Sequence, residues 1–363
     1  MLKFISFLSI LNLLILFLLV SCNRPPEGSQ AAGAHISFTV EALRETDPVP
    51  AKKNEDSADD PAIWIHPENP EKSFIIGTNK KGGLATYALT GKQLNYYGFG
   101  KMNNCDLRKG FALDGDTIDI LAATNRSYQS ISLFKISENG ILDSVHVRTI
   151  HSEMTAEVYG LCMYKSCKTD AFHVFINSTD GEVEQWMLFN NNRKVDAKLV
   201  RSFKLASQTE GMVADDETAV LYIGEEKKGI WRFSAEPDNN SEGILIHESS
   251  EKNQNIRFDI EGLALYQSGE GKGFLVASSQ GNYSYAVFER HGENKYIGSF
   301  RIGDGITDGV QETDGIEITN STLGKLFPEG LLIVQDGYNK DGKKQLPQNF
   351  KLVSWKSVSA LFQ

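Results

Sequence analysis

One pattern recurs six times along this 363-residue chain, and it limits the available folds more than any other feature. Each copy is an apolar run, a short polar turn, and a second run carrying an aromatic residue or a leucine. The copies read FIIGTNKKGGLATYAL from Phe74, IDILAATNRSYQSISLFKI from Ile118, FHVFINSTDGEVEQWML from Phe172, VLYIGEEKKGIWRF from Val220, GFLVASSQGNYSYAVF from Gly273 and GLLIVQDGYN from Gly330. The last is followed, after an insertion, by NFKLVSW. The starts lie roughly 45 to 60 residues apart, near the period of four-stranded propeller blades. Alternation such as Ser130-Ile131-Ser132-Leu133-Phe134 favours strands, and Asn139-Gly140 and Asp180-Gly181 suit hairpin turns.

A second series keeps step with the first. It reads Asp59-Asp60-Pro61-Ala62-Ile63-Trp64, Lys109-Gly110-Phe111, Tyr159-Gly160-Leu161, Glu210-Gly211-Met212, Glu261-Gly262-Leu263 and Asp314-Gly315-Ile316. A polar residue, usually followed by glycine, leads into an apolar strand; the second copy is the least regular. Two series in register predict an all-β, six-bladed β-propeller, with a β-sandwich of accidental periodicity as the alternative. A chain with 40% hydrophobic and 23% charged residues is neither disordered nor a polytopic membrane protein.

The N-terminus carries a different signal. Lys3 precedes an apolar stretch from Phe4 to Val20 that ends in Ser21-Cys22. This resembles a bacterial lipoprotein signal, cut before a cysteine that takes lipid; an ordinary secretory signal or an uncleaved anchor are the alternatives. The expected organisation is a signal peptide over 1–21, lipidated Cys22 and a flexible tether over 22–40, and the propeller over 41–363. It implies a protein of the bacterial cell envelope, held at the membrane by its N-terminal lipid only. The remaining Cys105, Cys162 and Cys167 show no CxxC spacing, so zinc is not expected, and Cys162 and Cys167 either pair or stay free thiols.

Equivalent positions in six blades form rings around a central channel, and both series should open on one end of it. One ring holds Asp60, Tyr159, Glu210, Glu261 and Asp314, with Asp56, Asp59, Asp106 and Asp259 close by. The hairpin ring holds Lys80 with Lys81, Arg126, Thr179, Glu226 with Glu225, Gln280 and Asp336. Crowded carboxylates stay ionised only when compensated, and all-oxygen ligand sets on loops suit Ca²⁺, with Mg²⁺ and Mn²⁺ less excluded than zinc, copper or haem. A net charge of −10 fits cation collection and argues against nucleic acid as a partner. Lys80 and Arg126 beside such ions form a place for a dense anion, most naturally phosphate. The chemistry that follows is metal-assisted hydrolysis of a phosphate ester by an activated water. Asp215-Asp216-Glu217 and Glu236-Pro237-Asp238 read as solvated loops or structural cation ligands.

The runs DDPAIWIHP, NNCDLRKGFAL, EVYGLCMY, SQTEGMVADDE, LYIGEE, DIEGLALY, SSQGNYSYAVFERHGENKYIGSFRI, TDGIEI and QDGYN resemble the β-propeller (alkaline) phytases, from about Asp56 to Trp355. The resemblance implies a six-bladed propeller binding several Ca²⁺ ions and hydrolysing phytate, myo-inositol hexakisphosphate, or its calcium form, to lower inositol phosphates; the sequence itself points to a monomer. It implies that Lys80, Arg126 and Tyr159 contact the scissile phosphate, and that Glu210, Glu226, Asp259 and Glu261 hold catalytic ions and the attacking water. Asp59 and Lys81 resemble residues around a second phosphate and shared metals; Gln280 is expected on substrate and Asp336 on a metal. Asp60, Pro61, Cys105, Asp314 and Gly315 resemble a structural Ca²⁺ site, with Pro61 and Cys105 acting through carbonyls. Two positions depart from the family pattern. Thr179 stands where a lysine is common, implying weaker hold on the neighbouring phosphate, and Tyr338 stands where an acid is common. A non-catalytic Ca²⁺-binding surface propeller and a propeller hydrolase of another phosphate ester remain the alternatives at this point.

Overall fold

The computed structural model describes residues 36–238 and 242–362. The signal segment, Cys22 and nearly all of the tether lie outside the described residues. Six four-stranded antiparallel units follow one another, as the repeats predict. Blade one is built from Ala58–Trp64, Phe74–Asn79, Gly83–Ala88 and Gln93–Tyr97. Blades two to five start at inner strands Met102–Leu113, Val158–Lys165, Thr209–Asp215 and Ile260–Gly269, and each runs outward in chain order. Blade six has Ile316–Thr319 innermost, then Leu331–Asp336 and Asn349–Ser354. The inner strands neighbour one another in sequence order, and Ile316–Thr319 returns to Ala58–Trp64 to close the ring.

Strand periodicity explains how the blades stack. Successive side chains point to opposite faces of a sheet, so a blade buried on both faces reads as nearly continuous apolar sequence. In Phe74–Asn79 every residue is buried. Ile75, with Ala85 and Tyr87, packs against Leu331, Ile333 and Phe350 of blade six. Phe74 and Ile76, with Leu84, pack against Met102, Leu121 and Phe134 of blade two. The same arrangement fills the other four interfaces. Each fully buried Ile, Leu or Phe contributes about 1.5–3 kcal/mol relative to exposure, so the six seams supply the main driving force.

Closure uses both ends of the chain. Arg44–Glu45 is the outer strand of blade six, antiparallel to Asn349–Ser354 with Glu45 opposite Lys351. Phe38–Glu41 adds in parallel to the outer strand Tyr296–Gly303 of blade five. Residues 38–40, grouped by composition with the tether, are therefore strand, because the Phe38-Thr39-Val40-Glu41 alternation can complete a sheet edge. The buried Lys351 ammonium meets Glu45 and Asp308 and lies 3.5 Å from Asp336 Oδ2, tying the closing strand to the sixth blade.

Two acidic runs differ from the solvated loops expected. Asp215 is fully buried, with Oδ1 at 2.5 Å from Arg290 Nη2, and Glu236 accepts from Tyr164 Oη and Ser166 Oγ. Both join neighbouring blades, which local sequence cannot show. Cys105, Cys162 and Cys167 are free thiols, the first two buried.

Candidate active site

A repeated irregularity in the inner strands builds the site. Pairing with the second strand slips between Ala58 and Pro61, Met102 and Cys105, Val158 and Leu161, Thr209 and Met212, and Ile260 and Leu263. These bulges place Asp59, Asn103, Tyr159, Glu210 and Glu261 at equivalent positions, with Asp314 preceding the inner strand of blade six. A bulge of this kind re-aims a side chain that the ladder would otherwise send into a seam. In four blades a polar residue next to the end of the second strand secures the ring segment: Asp60 N–H donates to Thr78 Oγ1, Asn104 N–H to Thr124 Oγ1, Gly160 N–H to Asn177 Oδ1 and Asp314 N–H to Gln335 Oε1.

The glycine after the ring residue has a packing cause. A Cβ at Gly211 would lie 1.7 Å from the Glu261 carbonyl oxygen, and one at Gly160 would lie 1.9 Å from that of Glu210. The motif marks close approach of successive inner strands, where an isolated acid–Gly pair would more often be a turn.

The second ring is tied to the first by one backbone bond repeated in every blade. The N–H groups of Lys80, Arg126, Thr179, Glu226, Gln280 and Gly337 donate to the carbonyls of Ser57, Lys101, Glu157, Gln208, Asp259 and Gln311. The hairpin tips and the loops entering the inner strands therefore open on one mouth, as the sequence geometry predicts.

Glu210, Glu226 and Glu261 present carboxylate oxygens within 4.8 Å of one another. Lys80 Nζ lies 2.8 Å from Asp314 Oδ2, 2.6 Å from Asp56 Oδ1 and 3.8 Å from Asp59 Oδ1. Gln280 Nε2 donates to the other Asp314 oxygen at 2.8 Å. Arg126 Nη2 lies 2.6 Å from Glu157 Oε2, Nη1 donates to Asn103 Oδ1 at 3.0 Å, and the guanidinium stacks 5.4 Å from the centre of the Tyr159 ring. Asn103 Nδ2 in turn donates to Glu210 Oε1 at 2.8 Å. Lys80, Arg126 and the three glutamates thus share one mouth.

Lys80 and Arg126 compensate the charges only in part. Both oxygens of fully buried Asp59, Glu226 Oε1 and Glu261 Oε2 have no hydrogen-bond partner. Burial, then the neighbouring Glu210, pushes the Glu226 carboxyl up to about 7 and that of Glu261 well above the carboxylate range. Burial raises Asp59 and takes Asp314 up to about 6, with the Lys80 ammonium opposing in both. Burial likewise raises the Tyr159 hydroxyl, Glu210 adding to it. Orphaned, all-oxygen donors of this kind fit a hard cation such as Ca²⁺, which would supply the missing positive charge.

Other expected residues are dispersed. Lys81 is exposed at the hairpin tip beside Lys80, and partly buried Asp259 borders Glu226. Asp60 Oδ2 accepts from Cys105 N–H at 3.1 Å, and its Oδ1 lies where a Cβ on Gly315 would fall. Pro61 is buried in the inner strand opposite Gly77. The Asp314 carboxylate turns to Lys80 and Gln280. Asp336 is one position early for the second ring; its carboxylate faces Lys351 and the N–H groups of Gln311 and Tyr338. Glu225 accepts from Ser207 and Trp231 as a blade residue, and Asp106 pairs with Arg108. The second copy of the ring motif was misplaced: Lys109-Gly110 falls at a further slip between Arg108 and Phe111, and the ring residue of blade two is Asn103. Its Asn103-Asn104 run was the available signal, matching Asp59-Asp60 in carrying no glycine.

The profile of the phytase family matches residues 7–363. A 3-phytase from Bacillus subtilis is 47% identical over 329 residues, covering 89% of this chain and 85% of that protein. A solved structure of a functionally unknown protein from Desulfotomaculum acetoxidans is similar at a TM-score of 0.45 and 15% identity, over 68% of this chain and 72% of that one.

Proposed function

The chain belongs to the phytase family and is a phytase, and from that premise we propose that the ringed mouth removes phosphate from phytate by calcium-dependent hydrolysis. The observation carrying this reading is the triad Glu210, Glu226 and Glu261, with unpartnered oxygens, in one mouth with Lys80 and Arg126. The triad would hold one ion with Asp259 at its edge, and the two Asp59 oxygens, which accept no hydrogen bond, offer donors for another. Calcium held there would supply the positive charge that lets a polyanion approach carboxylates and would acidify water beside it.

The chain's own groups do the rest. Lys80 and Arg126 contact the equatorial oxygens of the scissile phosphate, where negative charge builds in the transition state. Tyr159 backs the guanidinium and donates its hydroxyl proton in a hydrogen bond to a phosphate oxygen, since burial keeps that proton in place. Glu226, in the triad, accepts the proton from the attacking water as the bond from phosphorus to the inositol oxygen breaks, and that leaving oxygen takes a proton from solvent. Lys81 and Gln280 flank the place of a neighbouring phosphate. The domain acts as a monomer, held at the bacterial cell envelope by lipid on Cys22.

The test is phosphate release from phytate by the purified protein. EDTA should abolish it and Ca²⁺ restore it, and Arg126→Ala should cut kcat/KM by about 100-fold or more. Full activity in metal-stripped protein, or no release from phytate while simpler phosphate esters are cleaved, would overturn the reading. Cys22→Ser should move the protein from the membrane to the soluble fraction.

A further inference from the structure

Asn103 is the one ring position among the six that carries an amide, and its hydrogen bonds join the two charged halves of the site. Oδ1 accepts from Arg126 Nη1 at 3.0 Å, while Nδ2 donates to Glu210 Oε1 and to Asn104 Oδ1, both at 2.8 Å. The residue is fully buried, so each group is committed. The orientation of the amide is dictated by its partners: guanidinium only donates and carboxylate only accepts. A flipped amide would set N–H against N–H and oxygen against oxygen.

We propose that Asn103 is a positioning residue that sets the Arg126 guanidinium and the Glu210 carboxylate relative to each other across the channel. The inference rests on the reading of the mouth as a phosphate-ester hydrolase. The link runs from blade two to blade four, between residues remote in sequence. It holds Oε1 of Glu210, whose carboxylate also belongs to the triad with Glu226 and Glu261. On the other side it fixes one amine of Arg126, while Glu157 takes the second at 2.6 Å and the Tyr159 ring supports the plane. A carboxylate at this position would still accept from Arg126 but would repel Glu210. A hydrocarbon would leave both charged groups without the partner that orients them. An amide is the side chain of this size that serves an anion and a cation at once. Preorganisation of this kind removes a reorientation that substrate binding would otherwise have to drive.

The test uses the full-length protein with Asn103→Ala and Asn103→Asp, alone and combined with Arg126→Ala or Glu210→Gln. Readouts are Ca²⁺ affinity by calorimetry without substrate, inhibition by inorganic phosphate with Ca²⁺ present, kcat/KM on phytate, and metal-free Tm. Asn103→Ala should weaken Ca²⁺ and phosphate binding each by about fivefold or more and lower kcat/KM by roughly 10- to 100-fold. Its effect on phosphate should shrink below about twofold once Arg126 is alanine, and its effect on Ca²⁺ likewise once Glu210 is glutamine. Asn103→Asp, which keeps the shape should the alanine variant not fold, should hold phosphate within about threefold of wild type while changing Ca²⁺ affinity at least about fivefold. Additive effects in the double variants, or losses that track only metal-free Tm, overturn the proposal. So do Ca²⁺ and phosphate affinities within about twofold of wild type in both single variants. A wild-type protein that binds both ions yet releases nothing from phytate would sink the functional reading instead, and the two failures are separable.

Discussion

At Gly211 the inner strands of blades four and five come so close that a methyl group would sit 1.7 Å from the Glu261 carbonyl oxygen. Backbone cannot yield there without shifting the bulge that carries Glu261. Gly211→Ala should therefore cost about 3 kcal/mol or more and weaken Ca²⁺ binding, read from urea unfolding and calorimetry. His173 is a second informative residue. Burial holds its imidazole down at about 4, where it stacks on Tyr164. The unfolded chain takes the proton near 6.5 and the folded one does not, so the stability that this residue contributes is full above 6.5 and falls as pH drops toward 4. Unfolding at pH 7 and pH 4.5 should show His173→Phe losing about 2–3 kcal/mol less than wild type over that interval.

At the scale of elements, the outer edge of the ring is where the fold is most vulnerable. The N-terminal strands Phe38–Glu41 and Arg44–Glu45 complete blades five and six, and Lys351 is the charged bond between the latter and its sheet. Lys351→Met would leave Glu45, Asp308 and Asp336 facing one another without a cation. A loss of about 3–5 kcal/mol is expected, measurable as a shift in the urea midpoint, since breaking a buried pair strands the partner charges. The insertion before NFKLVSW folds into a small ribbon, Lys340–Asp341 with Lys344–Gln345, and leaves the register of blade six intact.

For the molecule as a whole, the carboxylate-rich mouth couples stability to pH and to cations. Glu226 sits at about 7 when folded, against an ordinary value near 4.5. The metal-free fold binds more protons than the unfolded chain through this window. The stability that this carboxyl contributes is present below about 4.5 and is lost as pH rises through 7. Metal-free Tm should fall between pH 5 and pH 8, and saturating Ca²⁺ should raise Tm more at pH 8 than at pH 5. Calorimetric scans with and without EDTA at the two pH values check this; equal Ca²⁺ gains at both would contradict it.

Much of this was written in the repeats. Residues recurring with blade period had to become rings, so Tyr159, Glu210, Glu261, Lys80, Arg126, Glu226 and Gln280 could be put at one mouth from spacing alone. Position within a bulge is different, because it is fixed by pairing with the next strand and not by local pattern. For that reason the long inner strand of blade two, slipping twice, hid Asn103 behind Lys109-Gly110, and Asp336, one residue off register, turned away from the mouth to Lys351. The clamps on the bulges, Thr78, Thr124, Asn177 and Gln335, look like ordinary strand residues until the neighbouring backbone is seen. Sequence determined the number of blades, the kinds of charge at the mouth and the family, because these follow from what repeats. Tertiary structure alone decided which carboxylates lost their partners, which acids found an arginine or a lysine, and which amide bridges Arg126 to Glu210. Those depend on distances between blades that are remote in the chain, and burial there makes each unpaired oxygen count.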